Sequence, residues 1–124
     1  MVKKVLIVDD ESDVRYTVKH GLEGLDKGYQ VVGVESGEKC FEVLENETLP
    51  DLIILDIMMP GMNGWEVHRR LKDHAVWREI PLLFMTAVED QTSKRMIKMM
   101  SDGFVEKPVK IPELKQHIEK LLHQ

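Results

Sequence analysis

Five short apolar runs alternate with longer stretches in which apolar residues return every three or four positions. The runs predict strands over 4–8, 30–34, 52–55, 81–85 and 103–106. Val5-Leu6-Ile7-Val8, Leu52-Ile53-Ile54-Leu55 and Leu82-Leu83-Phe84-Met85 are continuously apolar, as strands covered on both faces should be. Between them lie the helical patterns. The first follows Ser12 and puts Val14, Val18, Leu22 and Leu25 on one stripe. A second starts near Ser36, where Lys39 stands in place of a capping-box Glu, and runs through Cys40, Phe41 and Leu44. The third begins after Asn63, a good N-cap, and carries Trp65, Val67, His68 and Leu71. A fourth, weaker pattern runs from about Gln91 to Met100. The fifth has Pro112 in its first turn and Ile111, Leu114, Ile118, Leu121 and Leu122 on one stripe. Strictly alternating strands and helices predict an α/β protein: a parallel sheet with helices on both faces, in three layers.

The chain has 124 residues, which is one domain (1–124) with enough interior for a single core. The single Cys40 excludes an internal disulfide, suits a reducing, cytoplasmic compartment and belongs to the apolar face of the second helix. A net charge of −5 without a basic stripe argues against nucleic-acid binding. No apolar run approaches the roughly 20 residues of a membrane span, and none has the shape of a signal peptide.

Chemistry collects where the strands end. The first strand runs into Asp9-Asp10, the third into Asp56, the fourth into Thr86 and the fifth into Lys107-Pro108. In open α/β sheets this carboxyl edge is where ligands bind. Alone, each residue has a plain explanation: acids at a helix start, a turn-forming Asp, a capping Thr, a solvated Lys. Together they converge on one edge. Two carboxylates about 4 Å apart repel by roughly 4 kcal/mol at an effective dielectric of 20, so Asp9, Asp10 and Asp56 call for a cation. Mg²⁺ suits such a site, because it takes one or two carboxylates, waters and a phosphate oxygen. Lys107 and the Thr86 hydroxyl would meet further phosphoryl oxygens, and Asp56 would be the nucleophile of an acyl phosphate.

These residues carry a resemblance. Val8-Asp9-Asp10, the segment from Leu55 to Gly64, Thr86-Ala87 and the segment from Phe104 to Pro108 resemble the receiver domains of two-component response regulators, of the chemotaxis type, over essentially the whole chain. The resemblance implies a flavodoxin-like, doubly wound five-stranded parallel sheet of order 2-1-3-4-5 with five helices. It implies that Asp56 accepts a phosphoryl group from a sensor histidine kinase or a histidine phosphotransfer protein. Asp10, Asp56 and the backbone carbonyl of Met58 would bind Mg²⁺ directly, and Asp9 largely through water. Thr86 and Phe104 would form the switch, Lys107-Pro108 would be a cis peptide, and the fourth helix, fifth strand and fifth helix would face a downstream effector protein. The protein would be a switch without external turnover, not an enzyme, and a monomer or a phosphorylation-linked dimer. The chain ends at Gln124, directly after the fifth helix, which fits either a stand-alone receiver, the expectation here, or the front of a longer protein.

Three departures and three alternatives complete the reading. Met100-Ser101 stands where many receivers have a Gly-Ala pair. Met58 and Val88 are apolar at positions that tune the lifetime of the phosphoryl group, which predicts slow self-dephosphorylation. Eight Met residues, including Met96, Met99 and Met100, read first as core filling, with a soft partner surface on the fourth helix as the second reading. His20, His68, His74, His117 and His123 have no zinc-like spacing and read as mostly solvated. A pseudo-receiver that works by binding alone would keep the fold with an idle site. A phosphatase of the haloacid dehalogenase type would need an Asp where Met58 stands. A flavin module would be repelled by Asp9-Asp10-Glu11.

Overall fold

The computed structural model describes residues 2–25, 28–87 and 90–123. Its elements are β1 (Lys3–Val8), α1 (Ser12–Leu25), β2 (Tyr29–Val34), α2 (Gly37–Asn46), β3 (Leu52–Leu55), α3 (Gly64–Asp73), β4 (Leu82–Thr86), α4 (Gln91–Met100), β5 (Gly103–Glu106) and α5 (Ile111–Leu122). The five strands are parallel and ordered β2-β1-β3-β4-β5. This is the doubly wound, flavodoxin-like sheet that the sequence predicts, and each strand lies within one residue of its expected bounds.

Side chains of a strand alternate between faces, and the two halves of the core follow that period. Leu6, Val8, Ile53, Leu55, Leu82 and Phe84 pack with Cys40 and Leu44 of α2, Val67 and Leu71 of α3 and Ile97 of α4. Val5, Ile7, Leu52, Ile54, Leu83 and Met85 pack on the other face with Val18 and Leu22 of α1 and Leu114 and Ile118 of α5. Burial on both faces explains the unbroken apolar runs. Cys40 is fully buried in the first cluster, and burial raises its thiol pKa to about 12. It is a core residue.

Helix starts are set locally. Oγ of Ser36 accepts from the Lys39 amide, and Oδ1 of Asn63 accepts from the Glu66 amide at 3.1 Å. Asp90 caps α4 in the same way through Ser93. Gly64 opens α3 directly beneath the tip of β3. A Cβ there would stand 2.6 Å from the Cα of Ile57, so only glycine lets the helix start this close to Asp56. One feature lacks a periodic signal: a 3₁₀ turn over Trp77–Glu79. It is ordered by His74, whose Nδ1 accepts from the amides of Val76 and Trp77, and whose ring stacks on Trp77 at 3.7 Å.

Candidate phosphoacceptor site

Strand pairing brings the carboxylates together. Val8 is paired with Leu55, so the next residues of the two strands, Asp9 and Asp56, leave the sheet side by side. Their backbones are tied in as well: the Asp56 amide donates to the Val8 carbonyl at 3.0 Å, and the Asp9 amide donates to the Val34 carbonyl at 3.1 Å. Both are buried, with exposures of 0% and 2%. On the other side, Thr86 ends β4 and its carbonyl accepts from the Lys107 amide at 3.0 Å. The Lys107-Pro108 peptide is cis.

Lys107 is the hub. Its Nζ lies 2.8 Å from Oδ2 of Asp9, 3.1 Å from Oδ2 of Asp56 and 3.4 Å from Oε1 of Glu11. The ammonium is held above the ordinary lysine range: burial opposes its charge, but the Asp9 and Asp56 carboxylates outweigh burial. Asp56 moves the other way from a typical salt-bridged acid. Its pKa is raised, first by burial and then by the negative charge of Asp9, against the opposing pull of Lys107 and the Met58 amide. That amide donates to Oδ1 of Asp56 at 3.3 Å.

Three carboxylates share one ammonium, so the site keeps an excess of negative charge. Ligand oxygens of Asp9, Glu11 and Asp56 all lie within 4.8 Å of one another. Such a set of hard oxygen donors fits a small divalent cation. Thr86 adds a second sign of an incomplete site. Its side chain is fully buried, and Oγ1 has no hydrogen-bond partner among the described residues. Buried hydroxyls are normally paired, so this one has a hydrogen bond left to donate.

The structure thus brings together Asp9, Asp56, Thr86 and Lys107. Asp10 is exposed, outside the close group of carboxylates. Glu11 joins that group, a residue that the pattern of strand tips does not mark. The Asp9 side chain anchors it: Oδ1 accepts from the Glu11 amide at 2.9 Å, as an acid does at the start of a helix. Phe104 is half-buried on β5, paired in register with Phe84. Met58 is 68% exposed beside Asp56, whereas Val88 lies outside the described residues.

Two sequence readings need correction. Met96, Met99 and Met100 are not core filling: they are exposed on α4, because that short helix buries only Ile97. His68 is not solvated. It is 6% exposed, 5.5 Å from the Phe84 ring, and its Nε2 is 2.8 Å from the Met100 carbonyl; burial lowers its pKa. Among the described residues, no helix is long and apolar enough to cross a membrane.

Comparison with known proteins agrees with this fold. Residues 5–119 match the family described as the response regulator receiver domain. The phosphate regulon transcriptional regulatory protein PhoB of Rhizobium meliloti (strain 1021) is 31% identical over all of this chain, which covers 54% of that protein. The chain spans about half the length of the curated relatives it matches. Among solved structures, the receiver domain of a signal transduction histidine kinase from Syntrophus aciditrophicus is 35% identical, with a TM-score of 0.86, covering 98% of this chain and 91% of that one. The Vibrio cholerae chemotaxis protein CheY4 is 27% identical, with a TM-score of 0.85, covering 98% of this chain and all of that one. This chain belongs to the response regulator receiver domain family of two-component signalling.

Proposed function

We propose that this protein is a phosphorylation-dependent switch in which Asp56 takes a phosphoryl group from a histidine kinase or a histidine phosphotransfer protein. The observation that carries this reading is the buried carboxylate of Asp56 within reach of Lys107, with the Thr86 hydroxyl, which has no partner among the described residues, at the tip of the neighbouring strand. The attacking oxygen belongs to Asp56. Transfer forms the bond from that oxygen to phosphorus as the donor's bond to phosphorus breaks, giving an acyl phosphate. Lys107 would follow one phosphoryl oxygen, and Thr86 would donate to another.

Asp10, Asp56 and the Met58 carbonyl would hold Mg²⁺, with Asp9 acting largely through water and Glu11 adding a carboxylate at the rim. When bound, that ion offsets the charge of the incoming phosphoryl group. A groove of about 500 Å³ beside Lys107, lined by Glu11, Val14, Thr17, Pro108 and Val109, gives a phosphodonor protein room to approach. The protein would catalyse its own phosphorylation without turning over an external substrate.

The phosphoryl group adds about −1.5 to −2 charges and three acceptor oxygens. Thr86 would move toward it, and Phe104 would take the space released. Phe104 borders a groove of about 620 Å³ between α4, β5 and α5, lined also by Lys94, Glu106, Lys110 and His117. That groove would be the face read by the effector. The test is chemical: protein incubated with Mg²⁺ and labelled acetyl phosphate should take up label that neutral hydroxylamine releases. Label stable to hydroxylamine would exclude an acyl phosphate.

A further inference from the structure

Three methionines follow Asp56 in the run Met58-Met59-Pro60-Gly61-Met62, and the fold treats them differently. Met59 is 7% exposed, and Met62 packs against the core beside Gly37. Met58 is 68% exposed and lines a groove of about 360 Å³ with Asn63 and Trp65. Its backbone is held in place. The Met58 amide donates to Oδ1 of Asp56 at 3.3 Å, and the Met59 amide donates to the Ile57 carbonyl at 3.1 Å. A thioether open to solvent is thus rooted at the carboxylate.

Access decides which sulfur an oxidant meets here. A thiol reacts as its thiolate, and Cys40 is fully buried with its pKa pushed up to about 12. A thioether has no proton to lose, so exposure alone opens Met58 to attack. We propose that Met58 is an oxidation site, and that a peroxide acting on it shortens the life of the phosphoryl group on Asp56. With hydrogen peroxide the step transfers one oxygen atom and two electrons. A sulfur lone pair attacks one peroxide oxygen, the S–O bond forms as the O–O bond breaks, and the displaced hydroxide takes the remaining proton and leaves as water. Sulfur is oxidised and peroxide is reduced. The product, methionine sulfoxide, puts a polar oxygen on a side chain that was apolar. The thioether only shields the acyl phosphate, whereas the sulfoxide oxygen accepts a hydrogen bond from water and holds that water at the site. This role presupposes the phosphoryl transfer proposed above and gives the switch a second, oxidative input that resets it.

The test treats wild type, Met58→Leu and Met99→Leu with hydrogen peroxide, removes it, and then adds Mg²⁺ and labelled acetyl phosphate. Peptide mass spectrometry locates the added oxygen, and loss of label after donor removal gives the phosphoryl lifetime. Matched melting curves confirm that the treated proteins stay folded. Met99, 86% exposed on α4, stands for oxidation away from the site. One oxygen is expected on Met58 of the wild type, with label lost about three- to tenfold faster, below the roughly 10²-fold of a positioned general base. Met99→Leu should respond as the wild type does, and Met58→Leu should lose label at one rate with and without peroxide. Methionine sulfoxide reductases for both epimers should restore the untreated lifetime. The assignment of Met58 is overturned if it stays unoxidised while Met99 is oxidised, or if the oxidised wild type loses label no faster. It is equally overturned if reduction restores nothing, or if peroxide accelerates Met58→Leu as much as the wild type. Absence of label on the untreated wild type would instead overturn phosphorylation of Asp56, and this role of Met58 with it.

Discussion

Nζ of Lys107 lies 3.1 Å from Oδ2 of Asp56, and the two side chains are only 12% and 2% exposed. The ammonium therefore occupies the place of a cation at the proposed phosphoacceptor before any other arrives. It also screens Asp56 from Asp9, the neighbour whose charge helps to raise the Asp56 pKa. This one bond ties the stability of the fold to the readiness of the site.

Removing the ammonium should therefore unmask the repulsion. Breaking a buried ion pair by deleting one partner typically costs about 3 to 5 kcal/mol. Lys107→Ala should be destabilised toward the lower end of that range in a metal-free buffer, because Glu11 and solvent border the site. Added Mg²⁺ should recover part of the loss. Urea melts with and without Mg²⁺ measure both effects, and a variant as stable as the wild type without metal would refute the role given to Lys107.

Asp56→Asn should act in the opposite direction. The folded-state pKa of Asp56 is raised, so its ionised form is the less comfortable one. Stability from this group is full below the ordinary Asp pKa and is lost as pH rises through the raised folded value. Asparagine removes that loss, so the variant should melt higher than the wild type at neutral pH and converge with it in acid. By the same shift, phosphorylation should fall away on acidification at a higher pH than an ordinary Asp would give. Melting temperatures across pH, and initial rates with acetyl phosphate, check the two halves.

Thr86 separates stability from signalling. Its buried hydroxyl has no partner among the described residues, and an unsatisfied buried group costs about 1 to 3 kcal/mol. Thr86→Val keeps the shape and removes the hydroxyl, so the unphosphorylated protein should be unchanged or up to about 1 kcal/mol more stable. It should nevertheless fail to report phosphorylation at Phe104, as read by ring chemical shifts before and after phosphorylation. A large destabilisation would mean that the hydroxyl already serves the resting fold.

In the proposed switch, Met58 would set the lifetime of the phosphoryl group. It is exposed beside Asp56 and offers no group that can orient water. Met58→Asn should accelerate loss of phosphate about tenfold, less than the roughly 10²–10⁴-fold of a positioned general acid or base, because an amide only orients the water. Decay of the phosphorylated fraction after removal of donor measures it, and an unchanged half-life would count against the shielding account.

The strands were legible because burial on both faces leaves a continuous apolar signature, and their tips were legible because polar residues interrupt it abruptly. Asp9, Asp56, Thr86 and Lys107 follow from that pattern and from parallel register alone. Glu11 does not, since its place depends on how the first turn of α1 hangs from the Asp9 carboxylate. Nor does the fate of the methionines. Ile97 alone anchors α4 inward, so apolar residues that read as core by composition lie outside. His68 was hidden for the converse reason: only the approach of α4 supplies the Met100 carbonyl that makes its burial tolerable.

Intact mass tests the central claim most directly. Wild-type protein, Asp56→Asn and wild type with a chelator are each incubated with Mg²⁺ and acetyl phosphate and weighed by mass spectrometry. The account predicts one added phosphoryl group on the wild type and none in either control. An unchanged wild-type mass, or the same gain in Asp56→Asn, would contradict it.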